Sequence, residues 1–291
     1  MTGRVVLACA PALDLPAAID GLTGSEVVAV AVDLGQGGVH LAATREQALA
    51  AGAVAAVATD AREELAQHYC LPALLANALT PVLSRPLLAR HLVTAARQHG
   101  ATTIAHHRAD PAFATEITAL APDLDVITWP EHPTPQAEQS IWRRRPARIP
   151  SQTGPRDPDE LTLTFDQGVP VAIDGETVTV LQAIQELNRR AGAHGVGRIH
   201  QAPGATTLIT AHQALEHAVL EPDLAEFKRE VERRWTELVQ DGRWFSPLKD
   251  ALDDFVLGTQ EQVSGEVRLV LHGGRAVIDQ AQLWDFEKQG V

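Results

Sequence analysis

The sequence predicts an α/β protein: a doubly wound parallel sheet in the first half, then an α+β domain. Three observations carry this. Short apolar runs without alternation recur at Val5–Ala10, Val27–Val32, Ala53–Ala58, Thr102–Ala105 and Asp125–Thr128, as strands buried on both faces do. Helical segments separate them, which makes the connections crossovers and the sheet parallel. Beyond Trp129 the texture changes to a proline-rich stretch and then to alternating, hairpin-like strands.

The elements follow in order. After the first strand, a short helix is expected over Asp14–Leu22, with Gly21 and Gly24 marking the turn to the second strand. The second strand runs into Asp33-Leu34-Gly35-Gln36-Gly37-Gly38, where glycines let the backbone approach a ligand. A helix over Thr44–Ala51 is expected to take Thr44 as its N-cap. Thr59–Glu64 opens another helix with acids in its first turn, and Pro86–His99 is a long helix. His106–Pro111 reads as a loop at the end of the fourth strand. Residues 1–142 form the first predicted domain, 143–160 a linker with the basic run Arg143-Arg144-Arg145, and 161–291 the second domain. In that domain Leu161–Val178 is a hairpin turning at Gly168 and Asp174-Gly175, and Val180–Ala191 is a helix. Ala202–Ala205 is a turn, and Thr210–Leu220, Leu224–Val239 and Pro247–Val263 are helical. Val267–Leu271 and Ala276–Ile278 make a closing hairpin around His272–Arg275.

Composition bounds the function. The 291 residues carry a net charge of −13, which argues against nucleic acid or an anionic membrane as a main partner. Cys9 and Cys70 sit in apolar segments and read as buried free thiols in a reducing, cytoplasmic setting. The N-terminal apolar run is too short for a signal peptide, and no stretch reaches the roughly 18 apolar residues of a membrane span. His194, His200 and His212 match no zinc-ligand spacing, so no metal site is expected.

Whether the end of the first strand is a ligand site is the central question. In an open α/β sheet a nucleotide sits at the strand end and helix start, on glycine N–H groups and a hydroxyl. Here the stretch is Pro11-Ala12-Leu13-Asp14-Leu15-Pro16, without glycine or hydroxyl, and each proline removes a donor.

Longer stretches point to a family. Val32-Asp33-Leu34-Gly35-Gln36-Gly37, Pro72-Ala73-Leu74-Leu75-Ala76-Asn77-Ala78-Leu79 and Ser84-Arg85-Pro86-Leu87 are joined by His194-Gly195-Val196-Gly197-Arg198, Ala202-Pro203-Gly204-Ala205-Thr206 and Gly242-Arg243-Trp244-Phe245-Ser246-Pro247-Leu248. Collinear over nearly the full length, they make the chain resemble argininosuccinate synthase, the ATP-dependent ligase of citrulline and aspartate. The resemblance implies an adenine nucleotide alpha hydrolase-like domain followed by a synthetase-type α+β domain. It also implies a homo-oligomer. The family's tetramer-forming C-terminal arm has no counterpart after Val291, which leaves dimer and tetramer open.

The family's ligand motifs do not carry over. Its phosphate loop S-G-G-L-D-T-S becomes Pro11–Pro16, where Leu13 and Asp14 alone persist. The T-G-K-G-N-D-Q-V-R-F-E run becomes a shorter His107–Ala114, with Ala112 in place of the citrulline-binding arginine. Thr80-Pro81-Val82-Leu83 replaces a longer tyrosine-containing segment, Gln136 aligns with a binding serine, and a citrulline-contacting insertion between Arg198 and Ala202 is missing. Three readings stay open. One is a pseudoenzyme that has lost ligation and binds a partner protein or metabolite. Another is a divergent ligase or transferase with His106, His107 and Asp110 as catalytic groups, against the blander reading of solvated loop residues. The third is a residual nucleotide site of Ala8, Asp14, Asp33, Gly35 and Gln36, with room for weak AMP-like binding and not for tight ATP binding. No other cofactor is indicated.

Overall fold

The computed structural model describes residues 3–9, 13–22, 24–37, 40–106, 111–128, 139–144 and 157–284. The chain forms two compact units. The first takes residues 1–65, 82–140 and 238–247, and the second takes 66–81, 141–237 and 248–291.

The first unit is built on five parallel strands: β1 (Arg4–Cys9), β2 (Glu26–Asp33), β3 (Ala55–Asp60), β4 (Thr103–His106) and β5 (Asp125–Thr128), in the order β3-β2-β1-β4-β5. The predicted doubly wound sheet is thus what the chain forms. Val5 and Leu7 of β1 and Val27 and Ala29 of β2 pack on Leu15, Ala18 and Ile19 of α1 (Leu15–Gly21) and Ala48 of α2 (Leu41–Ala50). Val6 and Val28, one residue on, point to the other face, and α5 (Ser84–His99) lies against β1 and β2. Burial on both faces explains the unbroken apolar runs of these strands.

Several local expectations are corrected. α2 starts at Leu41 with His40 as N-cap, and the Thr44 N–H already donates to His40 O at 2.8 Å, so Thr44 lies inside the helix. The helix after β3 is α3 (Arg62–Leu65), which widens into a π-helical turn over Ala66–Cys70 before α4 (Leu71–Leu75). Between β4 and β5 the sequence reading marked no helix; α6 (Pro111–Leu120) fills this place, burying Phe113, Glu116 and Ile117. Arg85 of α5 is buried, its Nε 3.8 Å from Glu116, and it donates to the carbonyls of Val239 at 2.6 Å and Gln240 at 2.9 Å. Those carbonyls end α9 (Pro222–Gln240), where a cation is favourable.

The second unit carries an antiparallel sheet, ordered β10-β9-β6-β7-β8: β6 (Asp159–Asp166), β7 (Val169–Ile173), β8 (Glu176–Thr177), β9 (Gly265–His272) and β10 (Arg275–Leu283). The expected hairpin over Leu161–Val178 is therefore three strands, turning at both predicted places. α7 (Val180–Ala193) opens on a capping box between Thr179 and Gln182. The expected turn at Ala202–Ala205 is instead the start of α8 (Pro203–Val219), with Pro203 in its first turn. A Cβ on Gly204 would meet Ile184 O at 2.7 Å, so glycine is what lets α8 approach α7 this closely. α10 (Pro247–Gly258) completes the helices.

A buried polar cluster joins these elements. Asn77, at φ +47°, donates its amide to Glu216 at 2.6 Å and Glu232 at 2.7 Å. Gln260 donates to Glu216 at 2.8 Å. With both amide nitrogens turned to carboxylates, their oxygens face His212, at 2.9 Å from Nδ1 and 2.8 Å from Nε2. Burial, with the Lys228 cation nearby, holds the His212 ring below its ordinary pKa, while the Glu216 carboxylate and the Gln260 hydrogen bond pull the other way. Lys228, 1% exposed, donates to Leu75 O at 2.8 Å, to Glu216 at 2.9 Å and to Glu232. Burial works against ionisation of Glu216, but the neighbouring His212 and Lys228 outweigh it and hold its carboxyl below the usual range. Gln260→Ala strips partners from His212 and Glu216 together. It is expected to cost about 2–4 kcal/mol in urea denaturation, well above the cost of an exposed Gln→Ala.

Candidate functional site

The carboxyl edge of the parallel sheet is where the first unit would hold a ligand. Cys9 ends β1, Asp33 ends β2, Asp60 ends β3 and His106 ends β4. Of the loops that leave this edge, Ala10, Pro11 and Ala12 after β1 and His107, Arg108, Ala109 and Asp110 after β4 lie outside the described residues. His107 and Asp110, two of the three catalytic candidates, are thus not placed.

The amino end of α1 is described. Asp14 is its N-cap, and its Oδ1 accepts from Ala17 N at 3.2 Å. Ala18 N donates to Asp14 O at 2.9 Å, and Pro16 has no N–H. Two donors of this first turn are therefore spent on Asp14 and a third is missing at Pro16, and a carboxylate stands where a phosphate would be attracted. An open cleft of about 390 Å³ lies beside it, lined by Leu13, Asp14, Leu15, Pro16, Gln47 and the α2 end Ala50-Ala51. Among these described lining residues there is no cation.

The turn after β2 is likewise self-contained. Asp33 Oδ1 accepts from Gly35 N at 2.8 Å, Gln36 Oε1 accepts from Leu34 N at 2.6 Å, and Gln36 Nε2 donates to Val32 O at 3.1 Å. Gly35 and Gly37 have φ of +78° and +79°, a region that favours glycine. Asp33 and Asp60 are register partners, and Arg62 is set beside both. Arg62 pairs with Asp60 through two contacts, at 2.9 and 2.6 Å, and its Nε is 3.8 Å from Asp33 Oδ2. The Arg62 hydrogen bond holds the Asp60 carboxyl below its ordinary range. Arg62 was not singled out from the sequence. Its signal was an arginine two residues past a strand-ending aspartate.

Ala8 is buried in β1 opposite Val30. His106, expected in the loop, is the last residue of β4, 2% exposed, with its ring edge-on to Phe113 at 5.0 Å. The structure brings Asp33, Gly35 and Gln36 into one turn and keeps His106 inside the fold. Among the described residues, no group of three or more His, Cys, Asp and Glu could hold a metal ion. No helix there is long and apolar enough to cross a membrane.

Comparison with known families decides the kinship. Residues 4–142 match the family described as "Arginosuccinate synthase N-terminal HUP domain", and residues 129–202 and 199–286 match the "Arginosuccinate synthase C-terminal domain". The chain belongs to the argininosuccinate synthase family. Within this argininosuccinate synthase relative, the parallel sheet is the HUP-type domain.

The two thiols are free, Cys70 buried and Cys9 half-buried. Burial pushes the Cys9 thiol up to about 11, against an ordinary 9.0, and a backbone hydrogen bond from Val30 opposes the shift. Below pH 9 both folded and unfolded chains keep the proton. Between about 9 and 11 the unfolded thiol ionises and the folded one does not, so stability falls as pH rises. Urea midpoints from pH 8 to 11 are expected to fall more steeply for the wild type than for Cys9→Ala, by on the order of 2 kcal/mol. Separately, Asp14→Ala removes the α1 cap and is expected to cost about 1 kcal/mol in the same assay at pH 7.

Proposed function

We propose that this member of the argininosuccinate synthase family no longer joins citrulline to aspartate, and that it acts as a pseudoenzyme that binds a partner protein or a small metabolite. The observation that carries the reading is the amino end of α1. Holding a triphosphate needs several free N–H donors and countercharge. Pro16 offers no N–H, Ala17 and Ala18 donate to Asp14, and the charge added there is negative. Removing a single donor to developing charge typically costs about 100-fold in rate or more.

The sequence supports the same reading on the citrulline side. The citrulline arginine is replaced by Ala112, and the tyrosine segment and the citrulline-contacting insertion are cut. The turn of Asp33, Gly35 and Gln36 uses its side chains on its own backbone, which leaves backbone atoms for a weak AMP-like contact. Burial of His106 against Phe113 supports a packing role for that ring rather than acid–base work.

The test is to incubate the purified chain with MgATP, citrulline and aspartate and to quantify argininosuccinate by chromatography. Isothermal titration with each ligand runs beside it. The expected outcome is no product above the protein-free blank and no saturable heat with MgATP at millimolar concentration. Product that scales with protein concentration would sink the proposal.

A further inference from the structure

The helices α9 and α10 carry an aromatic pair that the ligation reading does not use. Phe227 of α9 meets Phe255 of α10 edge-on, with ring centroids 5.2 Å apart. Further along, Trp235 Nε1 donates to Asp253 at 2.7 Å, and Lys249 Nζ lies 5.3 Å from the centre of the Trp235 ring. α10 falls from 255 to 249 as α9 rises from 227 to 235, so the two helices run antiparallel here. Val231 and Trp235 are buried on the core side of α9. Phe227 stands off that stripe and is 53% exposed, and Leu224, one turn earlier, is exposed as well. A Cβ on Gly258, one turn past Phe255, would meet nothing, so the space beside that ring is open. Single exposed apolar residues are ordinary, but paired aromatics left open across two helices mark a contact surface.

The charges around the pair say what it fits. Asp223 and Glu230 lie four residues before and three after Phe227, exposed and on its own side of α9. Glu226, two residues from buried Lys228, and Asp254, two residues from buried Val256, face outward. The cations of these helices do not offset them. Lys228 is buried against Glu216 and Glu232, and Lys249 against Asp253. Arg233 and Arg234 each reach Glu237 at 3.0 Å. Arg229 sits two residues from Phe227 and so points to another side of the helix.

We propose that this face docks a basic amphipathic helix of a partner protein. Its apolar side chains pack on Phe227 and Phe255, and its lysines or arginines meet Asp223, Glu226, Glu230 and Asp254. The proposal deepens the reading that this relative binds a partner protein, and it rests on that reading. An apolar stripe laid on an apolar seam supplies the affinity, and complementary charge sets orientation and on-rate. A second copy of the chain would bring the same acids to the contact, and an anionic membrane would meet the same repulsion.

The experiment is a fluorescence-anisotropy titration of the full-length chain into a labelled peptide of repeated LKKLLKL, which forms a basic amphipathic helix. Two control peptides run beside it: the same residues reordered to spread the leucines around the helix, and LEELLEL repeats. Saturable binding of the basic amphipathic peptide is expected, with a Kd on the order of micromolar. Both controls are expected to bind roughly tenfold more weakly or worse. Phe227→Ala should raise the Kd roughly tenfold, and Glu230→Lys combined with Asp254→Lys should do the same and flatten its salt dependence. All three positions are at the surface, and circular dichroism checks that each variant is folded. Absence of saturation, equal binding of the reordered peptide, or unchanged affinity in both folded variants overturns the proposal. So does a dimer of the free chain that Phe227→Ala dissociates, because the face would then be a contact between copies. Argininosuccinate formation would sink the pseudoenzyme reading without touching this titration. Failure of the peptide with a chain that makes no product would sink the docking face alone.

Discussion

The second unit depends on a closed hydrogen-bond circuit around His212. Charges and amides buried this deeply are tolerable when each lone pair and proton has a partner. Asn77 and Gln260 each point nitrogen at carboxylates and oxygen at the ring, while Lys228 ties Glu216, Glu232 and the Leu75 carbonyl together. The circuit spans the segment after α4, the helices α8 and α9, and the residues after α10. Gly168 belongs to the same constraint, since a Cβ there would lie 2.3 Å from Gln260 Oε1. A lysine and a histidine that could have been surface groups are thereby committed to the interior.

Donor accounting also separates fold from function in the first unit. At the amino end of α1 and in the turn after β2, the polar groups are consumed locally, by Asp14 on the helix and by Asp33 and Gln36 on their own backbone. The fold keeps its shape with these groups turned onto its own backbone.

Much of the architecture was legible in the residues. The five parallel strands appear as apolar runs, and each lies within about two residues of its predicted span. Period-two alternation likewise located the antiparallel strands. The misreadings share a cause. Pro111 and Pro203 read as loop or turn signals, yet each starts a helix, because the missing N–H costs nothing in a first turn. Thr44 had the chemistry of a cap, but packing started its helix a turn earlier, at Leu41. The π-helical turn over Ala66–Cys70 carries no sequence signal that periodicity could show.

For the site, the sequence alone determined what the first strand's following turn lacks: residues 11–16 hold no glycine and no hydroxyl. It also placed Asp33, Gly35 and Gln36 at a strand end and Asp14 at a helix start, since element position follows from local hydrophobic pattern. Only the tertiary structure decided what the remaining polar groups do. It turned Asp14 onto its own helix, buried His106 against Phe113, set Arg62 beside Asp33 and Asp60, and put Phe227 edge-on to Phe255. The reason is physical. Hydrophobic periodicity is written over a few neighbouring residues, whereas hydrogen-bond partners and burial are set by residues distant in the chain that folding alone brings together.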